Sequence, residues 1–367
     1  MILRSVSLRD FRSYETAAFT FSPEVNILCG ENGRGKTNLL EAVWLLTGVR
    51  SWRAAKKAEL VRWDAGRASL RAVVETRDRS CELALDIPAA GRSQVLVNGV
   101  KKQRQLELSE HFRCVLFSPE DLYLIKGPAS GRRDFLDGAV SQIRPRYGDL
   151  LARYQRLLES KSRLLKQEDP RPSAELIAAY DDQLAPIGAL LLGYRAKFCR
   201  GLSEECGAMH GAISGGKESL TLCYRTVSTV QDPFAEPSRV EGWLRDHLES
   251  HRTAELQAGA CLSGLHRDDV ELFINGRPAK AFASQGQTRS AALALKFGQR
   301  ELFFRDTGEY PVLLLDDVLS ELDAGRQDFV LNELKSGQVF ITCCETDRLT
   351  SLGQVFLVQQ GTVAPME

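Results

Sequence analysis

The sequence predicts an α/β fold split in two by a helical insertion, and three observations carry that prediction. A strand, a glycine-rich loop and a helix follow one another over residues 25–46. A second apolar strand, Val312-Leu313-Leu314-Leu315, ends in Asp316-Asp317 near the other end of the 367-residue chain. Between them, residues 132–209 turn helical and basic, unlike the strand-rich segments on either side.

The first element is the most specific. Val25-Asn26-Ile27-Leu28-Cys29 is an apolar run of strand length. Gly30-Glu31-Asn32-Gly33-Arg34-Gly35-Lys36-Thr37 completes the G-x-x-x-x-G-K-[ST] pattern, and Leu39, Leu40, Ala42, Val43 and Leu46 follow at helical spacing. The glycines let the backbone turn its N–H groups toward phosphates, and the helix dipole adds to the attraction. Lys36 is placed to reach the β- and γ-phosphates, and Thr37 to ligate Mg²⁺.

Residues 70–75 read as a strand. Cys81, Leu83, Leu85 and Ile87 alternate with polar residues, as in a half-buried antiparallel strand. Val95 and Val97 precede an Asn98-Gly99 turn, and residues 114–117 form a further buried strand. The helical segment runs over 132–167, breaks at Pro170-Arg171-Pro172 and resumes over 174–209. Two antiparallel helices projecting from the sheet as an arm are the simplest arrangement. Gly215-Gly216 closes the arm, Leu220, Leu222 and Tyr224 suggest a strand, and 231–238 is a loop. Val270, Leu272 and Ile274 lead into an Asn275-Gly276 turn, and a helix over 287–303 precedes the acidic strand. Residues 338–342 and 354–358 are two more strands. The division is a split head, 1–120 and 261–367, with a largely helical arm over 121–260.

Four apolar residues ending in two acids describe a central parallel strand with carboxylates at its C-terminal end. Asp316 would hold Mg²⁺, and Asp317 would orient or deprotonate the attacking water. Lys36, Asp316 and Asp317 are thus the catalytic candidates, and Thr37 and Asp316 the metal ligands.

Composition is that of a globular protein, 43% hydrophobic and 26% charged, with 48 basic and 48 acidic residues. No global basicity advertises nucleic acid. No stretch is apolar enough to span a bilayer, the amino terminus lacks a signal-peptide layout, and a cytoplasmic protein is expected. The nine cysteines contain no C-x-x-C pair and read as reduced, buried thiols. His247 and His251 share a helical face that reads as surface, without a third metal ligand.

Ser284-Gln285-Gly286-Gln287 stands at the start of the 287–303 helix, a ready anion site. Phosphate loop, Ser-x-Gly-x at a helix start, then an acidic strand is the order of an ABC-type ATPase. Ser320-Glu321-Leu322-Asp323, directly after the acids, fits the loop that crosses the dimer interface in such enzymes.

The chain resembles the RecF family, bacterial recombination mediators related to the SMC and Rad50 heads. The resemblance rests on Asp10-Phe11-Arg12-Ser13-Tyr14, Gly30 to Asn38 with Glu41-Ala42, and Phe117-Ser118-Pro119-Glu120-Asp121. It extends through Pro128 to Asp137, Gly264-Leu265-His266-Arg267-Asp268-Asp269, the Ser284 segment and Leu315 to Asp323. It implies an ABC-type ATPase head with an inserted helical arm. It also implies an ATP and Mg²⁺ site drawing on Arg12, Ser13, Gly30, Glu31, Asn32, Gly33, Arg34, Gly35, Lys36, Thr37 and Asn38. A second copy of the chain would complete that site with Ser284, Gly286, Gln287 and Asp323. ATP would drive dimerisation on double-stranded or gapped DNA and slow, DNA-stimulated hydrolysis would release it. The family acts with RecR and RecO in loading RecA.

Two departures from ABC transporters stand out. Asp317 replaces their glutamate, and Thr342-Cys343-Cys344-Glu345-Thr346 occupies the place of the switch histidine. For DNA, a basic cluster after the phosphate-loop helix includes Arg53, Lys56, Lys57 and Arg62, opposed by Glu59 and Asp64. Trp44, Trp52 and Trp63 interleave with it and read as packing residues. The alternative function is a P-loop phosphotransferase acting on a small molecule. A tethering SMC-type head would need longer coiled coils, and a nuclease would need a further acidic cluster.

Overall fold

The computed structural model describes residues 1–167, 172–344, 352–359 and 362–365. Pro170 and Arg171 of the expected break, and Glu345 and Thr346 at the switch position, lie outside the described residues. Along the chain the elements are β1 (Ile2–Phe11), β2 (Tyr14–Thr20), β3 (Val25–Cys29), α1 (Lys36–Leu45), β4 (Arg67–Glu75), β5 (Ser80–Pro88), β6 (Gln94–Val97), β7 (Val100–Lys102) and β8 (Cys114–Phe117). There follow α2 (Tyr123–Lys126), α3 (Ala129–Ile143), α4 (Pro145–Leu165), α5 (Ala174–Ile213), β9 (Leu220–Arg225), α6 (Pro237–Ala258), β10 (Asp269–Ile274), β11 (Arg277–Pro278) and α7 (Ala279–Phe282). The chain continues with α8 (Gln285–Thr307), β12 (Val312–Leu315), α9 (Ala324–Glu333), β13 (Val339–Cys343), β14 (Gln354–Gln359) and β15 (Thr362–Pro365).

The central sheet runs β15-β14-β3-β13-β12-β8, parallel except for β15. Its strands are near-continuous apolar runs because both faces are covered. Alternate side chains serve different cores. Leu28, Cys114, Leu116, Val312, Leu314, Phe340 and Phe356 face a layer made by α1 and the antiparallel sheet β2-β1-β4-β5-β6-β7. Ile27, Val115, Phe117, Leu313, Leu315, Val339 and Ile341 face the helices. The turn at Asn98-Gly99, with φ of 50° and 75°, and that at Asn275-Gly276, with 50° and 73°, have two consecutive left-handed residues, as the Asn-Gly pairs predict.

The helical segment differs from a projecting two-helix arm. It contributes α3, α4, α5 and α6, whose buried residues join the central sheet in one core. The expected 260/261 boundary also falls within a packed unit, since β9 pairs with β10 beyond it. The helices share one core with the central sheet, whereas the core between that sheet and the antiparallel sheet draws only on residues 3–116 and 312–358. The sequence shows a helical face within α6 only at His247 and His251, because the helix is highly charged and buries few apolar residues, chiefly Val240, Leu244 and Leu248. Strand β1 escaped the sequence pattern because a bulge between Leu3 and Ser5 interrupts its alternation.

Several residues that carry the family resemblance tie this helical layer together. Arg195 of α5 is buried and forks onto Asp137 of α3, with Nε and Nη2 each 2.9 Å from a carboxylate oxygen. Its Nη1 donates to Asp268 Oδ2 at 2.9 Å and to the Leu265 carbonyl at 3.0 Å. Arg132 forks onto Asp269 at 2.7 and 2.8 Å. One buried cation between two carboxylates leaves one negative charge in excess. Burial pushes the Asp268 carboxyl up to about 6, against the opposing pull of Arg195 and the Tyr224 hydroxyl.

A raised carboxyl gives stability that is present below its ordinary value near 3.8 and is lost as pH rises through about 6. Asp268→Asn removes that titration. Thermal denaturation across pH 4 to 7 should therefore show wild type losing stability relative to the variant as pH rises. A difference independent of pH would refute the assignment.

Candidate nucleotide site

β3 delivers the chain into the phosphate loop, where two glycines are required by what surrounds them. Gly30 has φ 154°, and a Cβ there would lie 2.4 Å from the Val358 carbonyl oxygen of β14. Gly35 has φ 110°, and its Cβ would lie 3.0 Å from Ser13 Oγ. The Tyr14 phenol, pushed up by burial, stays protonated and donates to the Gly35 carbonyl at 3.0 Å. Lys36 Nζ lies across the loop, donating to the carbonyls of Gly30 and Glu31, the latter at 3.1 Å. Asn38 Nδ2 donates to Ser13 Oγ at 2.9 Å, and Arg34 pairs with Glu31 at the exposed rim. Ser13 thus borders the loop. Arg12 is turned onto α1, where it forks onto buried Glu41 at 2.8 and 2.9 Å.

The acidic end meets this loop through the sheet register. Leu315 pairs with Ile341, and Ile341 with Ile27, so β12, β13 and β3 end side by side. Thr37 Oγ1 donates to Asp316 Oδ1 at 2.9 Å, across 279 residues of sequence. Thr342 Oγ1 donates to the same oxygen at 2.9 Å and accepts the Asp317 N–H at 2.8 Å. Asp317 is exposed, holds φ 52°, and accepts from the Ser320 hydroxyl at 3.1 Å. Burial pushes the Asp316 carboxyl above the usual carboxylate range, while hydrogen bonds from Thr342 and Thr37 and the charge of Arg53 oppose this. A desolvated carboxylate beside a threonine hydroxyl at the foot of a phosphate loop fits Mg²⁺, which prefers one or two such ligands plus phosphate oxygens.

The second signature forms its own cluster. Ser284 caps α8: its Oγ accepts the Gln287 N–H at 3.1 Å, and Gln287 Oε1 accepts the Ser284 N–H at 2.9 Å. Gln287 Nε2 donates to Glu218 at 2.8 Å. Asp323 caps α9 by accepting the Arg326 N–H at 3.1 Å. The Arg326 guanidinium then pairs with Asp323 and donates to the Gly286 carbonyl at 2.9 Å and to Ser290 Oγ at 3.0 Å. Ser284, Gly286, Gln287 and Asp323 therefore belong together. No hydrogen bond or ion pair among the described residues joins them to the Gly30–Asn38 loop of the same chain.

The basic cluster separates. Arg53 turns toward the nucleotide loop, donating to Asn38 Oδ1 at 3.2 Å, and Arg62 is paired with Asp10 at 2.8 Å. Lys56 and Lys57 are exposed, with Lys57 Nζ 3.1 Å from Ser93 Oγ. Trp44 and Trp52 pack edge to face, as expected of packing residues. Trp63 does not pack: it is 89% exposed. His247 and His251 do share a face of α6, but His247 is buried rather than at the surface. No group of three metal-binding side chains occurs among the described residues.

Glu41 and Thr342 stand in segments that the sequence singles out, but their roles, like that of Arg326, do not show there. Each acts through a partner that only the fold brings near. Thr342 alone had a usable signal, being a polar residue at the C-terminal end of an apolar strand.

Residues 2–363 match the family described as the RecF/RecN/SMC N-terminal domain. The DNA replication and repair protein RecF of Synechococcus sp. (strain JA-3-3Ab) is 39% identical over 373 residues, covering 100% of this chain and 98% of the relative. The chain belongs to the RecF family. RecF of Bacillus subtilis (strain 168) is 35% identical over 370 residues, covering 99% and 100% of the two chains. The solved structure of the recombination mediator protein RecF-ATPrS in the RecFOR pathway has a TM-score of 0.93 at 32% identity, covering 100% of this chain and 98% of its own. The Smc head domain of Pyrococcus furiosus shares the fold, with a TM-score of 0.55 at 16% identity, covering 100% of this chain and 96% of its own. The chain is accordingly an ABC-type ATPase head of the RecF class. No helix among the described residues is long and apolar enough to cross a membrane.

Thermal shift with and without Mg²⁺ and ATP tests the site. Ligand at about 100 times its Kd should stabilise wild type by about 2.7 kcal/mol, and Lys36→Ala should lose this gain. Asp316→Asn should melt no lower than wild type without ligand, because burial disfavours the ionised carboxylate that it replaces, yet should lose most of the gain. An unchanged gain in either variant would contradict the site.

Proposed function

We propose that this chain is an ATP-switched DNA-binding protein of recombinational repair. Two copies would clasp ATP between the Gly30–Asn38 loop of one and the Ser284–Asp323 cluster of the other. The observation that carries this reading is the separation of the two clusters within one chain. The loop and Asp316 converge on each other, whereas exposed Ser284 and its neighbours converge on Arg326. A capped helix N-terminus supplies free N–H groups and dipole for an anion, and a γ-phosphate held by another copy would satisfy it.

A bound Mg²⁺ would supply positive charge against the negative charge that develops on the phosphates. Thr37 and Asp316 would hold it, and Lys36 would clamp the phosphates. Exposed Asp317 would position water. Its short side chain, engaged by Ser320, favours slow turnover, suited to a timer. The γ-phosphate would contribute extra affinity for the closed pair over the separate chains, as a switch requires. DNA would engage the exposed Lys56 and Lys57 through phosphate contacts, which make binding salt-dependent. Arg53 and Arg62 are weaker candidates because Asn38 and Asp10 already hold them. The reading includes gapped DNA as substrate, stimulation of hydrolysis by DNA, cooperation with RecR and RecO in loading RecA, and a cytoplasmic location.

Sedimentation with ATP, ADP or no nucleotide, with and without gapped DNA, tests it. ATP alone should yield a dimer. Ser284→Arg should bind ATP and remain monomeric, and Asp317→Asn should hold the ATP dimer. A Ser284→Arg protein that dimerises normally would sink the composite site.

A further inference from the structure

We propose that Cys344 is a modification site at which a low-molecular-weight disulfide closes the phosphate cradle to ATP. The inference rests on the nucleotide reading above. Three thiols meet where β3 and β13 end. Cys29 pairs in register with Cys343, and its Sγ contacts the Cys344 carbonyl at 3.5 Å. Their environments differ. Cys29 is buried and Cys343 partly so, and burial pushes the Cys343 thiol up to about 12, which keeps it protonated and unreactive. Cys344 is exposed, unlike the buried thiols that the sequence suggests.

Its setting is the phosphate cradle itself. Cys344 Sγ lies 3.7 Å from Lys36 Nζ and 3.1 Å from Asn32 Oδ1. Accessible sulfur beside a cation is the setting in which thiols react. The same ammonium is the one that a bound phosphate would use. A substituent on this sulfur would stand beside Asn32 and Lys36, where it would compete with a phosphate. The position is also the one where the switch histidine is missing, so the thiol stands where a phosphate sensor otherwise would.

The step is thiol–disulfide exchange. Cys344 sulfur attacks one sulfur of a disulfide such as glutathione disulfide. The new S–S bond forms as the reagent's S–S bond breaks, and the departing sulfur takes the proton that Cys344 gives up. The reagent disulfide is reduced to one free thiol, Cys344 is oxidised to a mixed disulfide, and excess thiol reverses the exchange.

The test uses the full chain and glutathione disulfide. Intact mass and peptide mapping locate the adduct, and a fluorescent ATP analogue reports binding before treatment, after it, and after reduction. The adduct should map to Cys344, weaken ATP binding about tenfold or more, equivalent to about 1.4 kcal/mol, and be reversed by reductant. Saturating Mg²⁺ and ATP should protect the thiol. Cys344→Ser should bind ATP with an affinity that the disulfide does not change. An adduct on Cys344 that leaves ATP affinity unchanged, or loss of binding that persists in Cys344→Ser, would overturn this proposal alone. Untreated wild type that binds no ATP would overturn the nucleotide reading and this proposal with it.

Discussion

The hydrogen bond from Thr37 to Asp316 depends on the central sheet, and everything functional in the molecule depends on the same arrangement. Thr37 lies in the first turn of α1, which follows β3, and Asp316 follows β12; β3 and β12 are not neighbours. β13 lies between them, and its parallel register with both brings the three C-terminal ends into line. Thr342, on β13, then bonds to the acids of β12. Ligands lie beyond the carboxyl ends of open parallel sheets because the loops there are free to carry chemistry. Here that edge is assembled from both ends of the chain, so a local change at either end reaches the whole site.

The helical layer supplies a second constraint. Arg195 joins α3, α5 and the segment before β10 in one buried network, which holds the layer on which α8 rests. α8 is buried along its middle, and its two ends are exposed, the start at Ser284 and the end at residues 304–306. Arg326 then links that start to Asp323, a few residues beyond the acids. Asp316 and Gly286 are thereby connected through one short stretch of chain. A shift at the acids would be felt at the N-terminus of α8. Breaking a buried charged network by removing one partner typically costs about 3–5 kcal/mol.

Much of this was legible in the sequence, for physical reasons that differ by element. The glycine loop is a local pattern whose backbone demands specific residues, so its position and flanks follow directly. The acidic strand was legible because a doubly buried parallel strand is apolar throughout. What the sequence hid was set by pairing rather than by local composition. Arg12 reads as a nucleotide contact but is satisfied by Glu41, and Arg62 reads as a free cation but is held by Asp10. Trp63 and Cys344 read as packed residues and are exposed. The helical segment reads as an arm because helical periodicity marks an apolar face without naming what covers it.

We propose that Thr37 and Asp316 form one cation site from opposite ends of the chain. A double-mutant cycle with Thr37→Val and Asp316→Ala, read as the Mg²⁺-dependent part of ATP affinity, tests it most directly. Residues that share one partner couple, whereas independent sites add. The double variant should bind about as weakly as the weaker single variant, with a coupling of about 1 kcal/mol or more. Losses that simply add would contradict the claim.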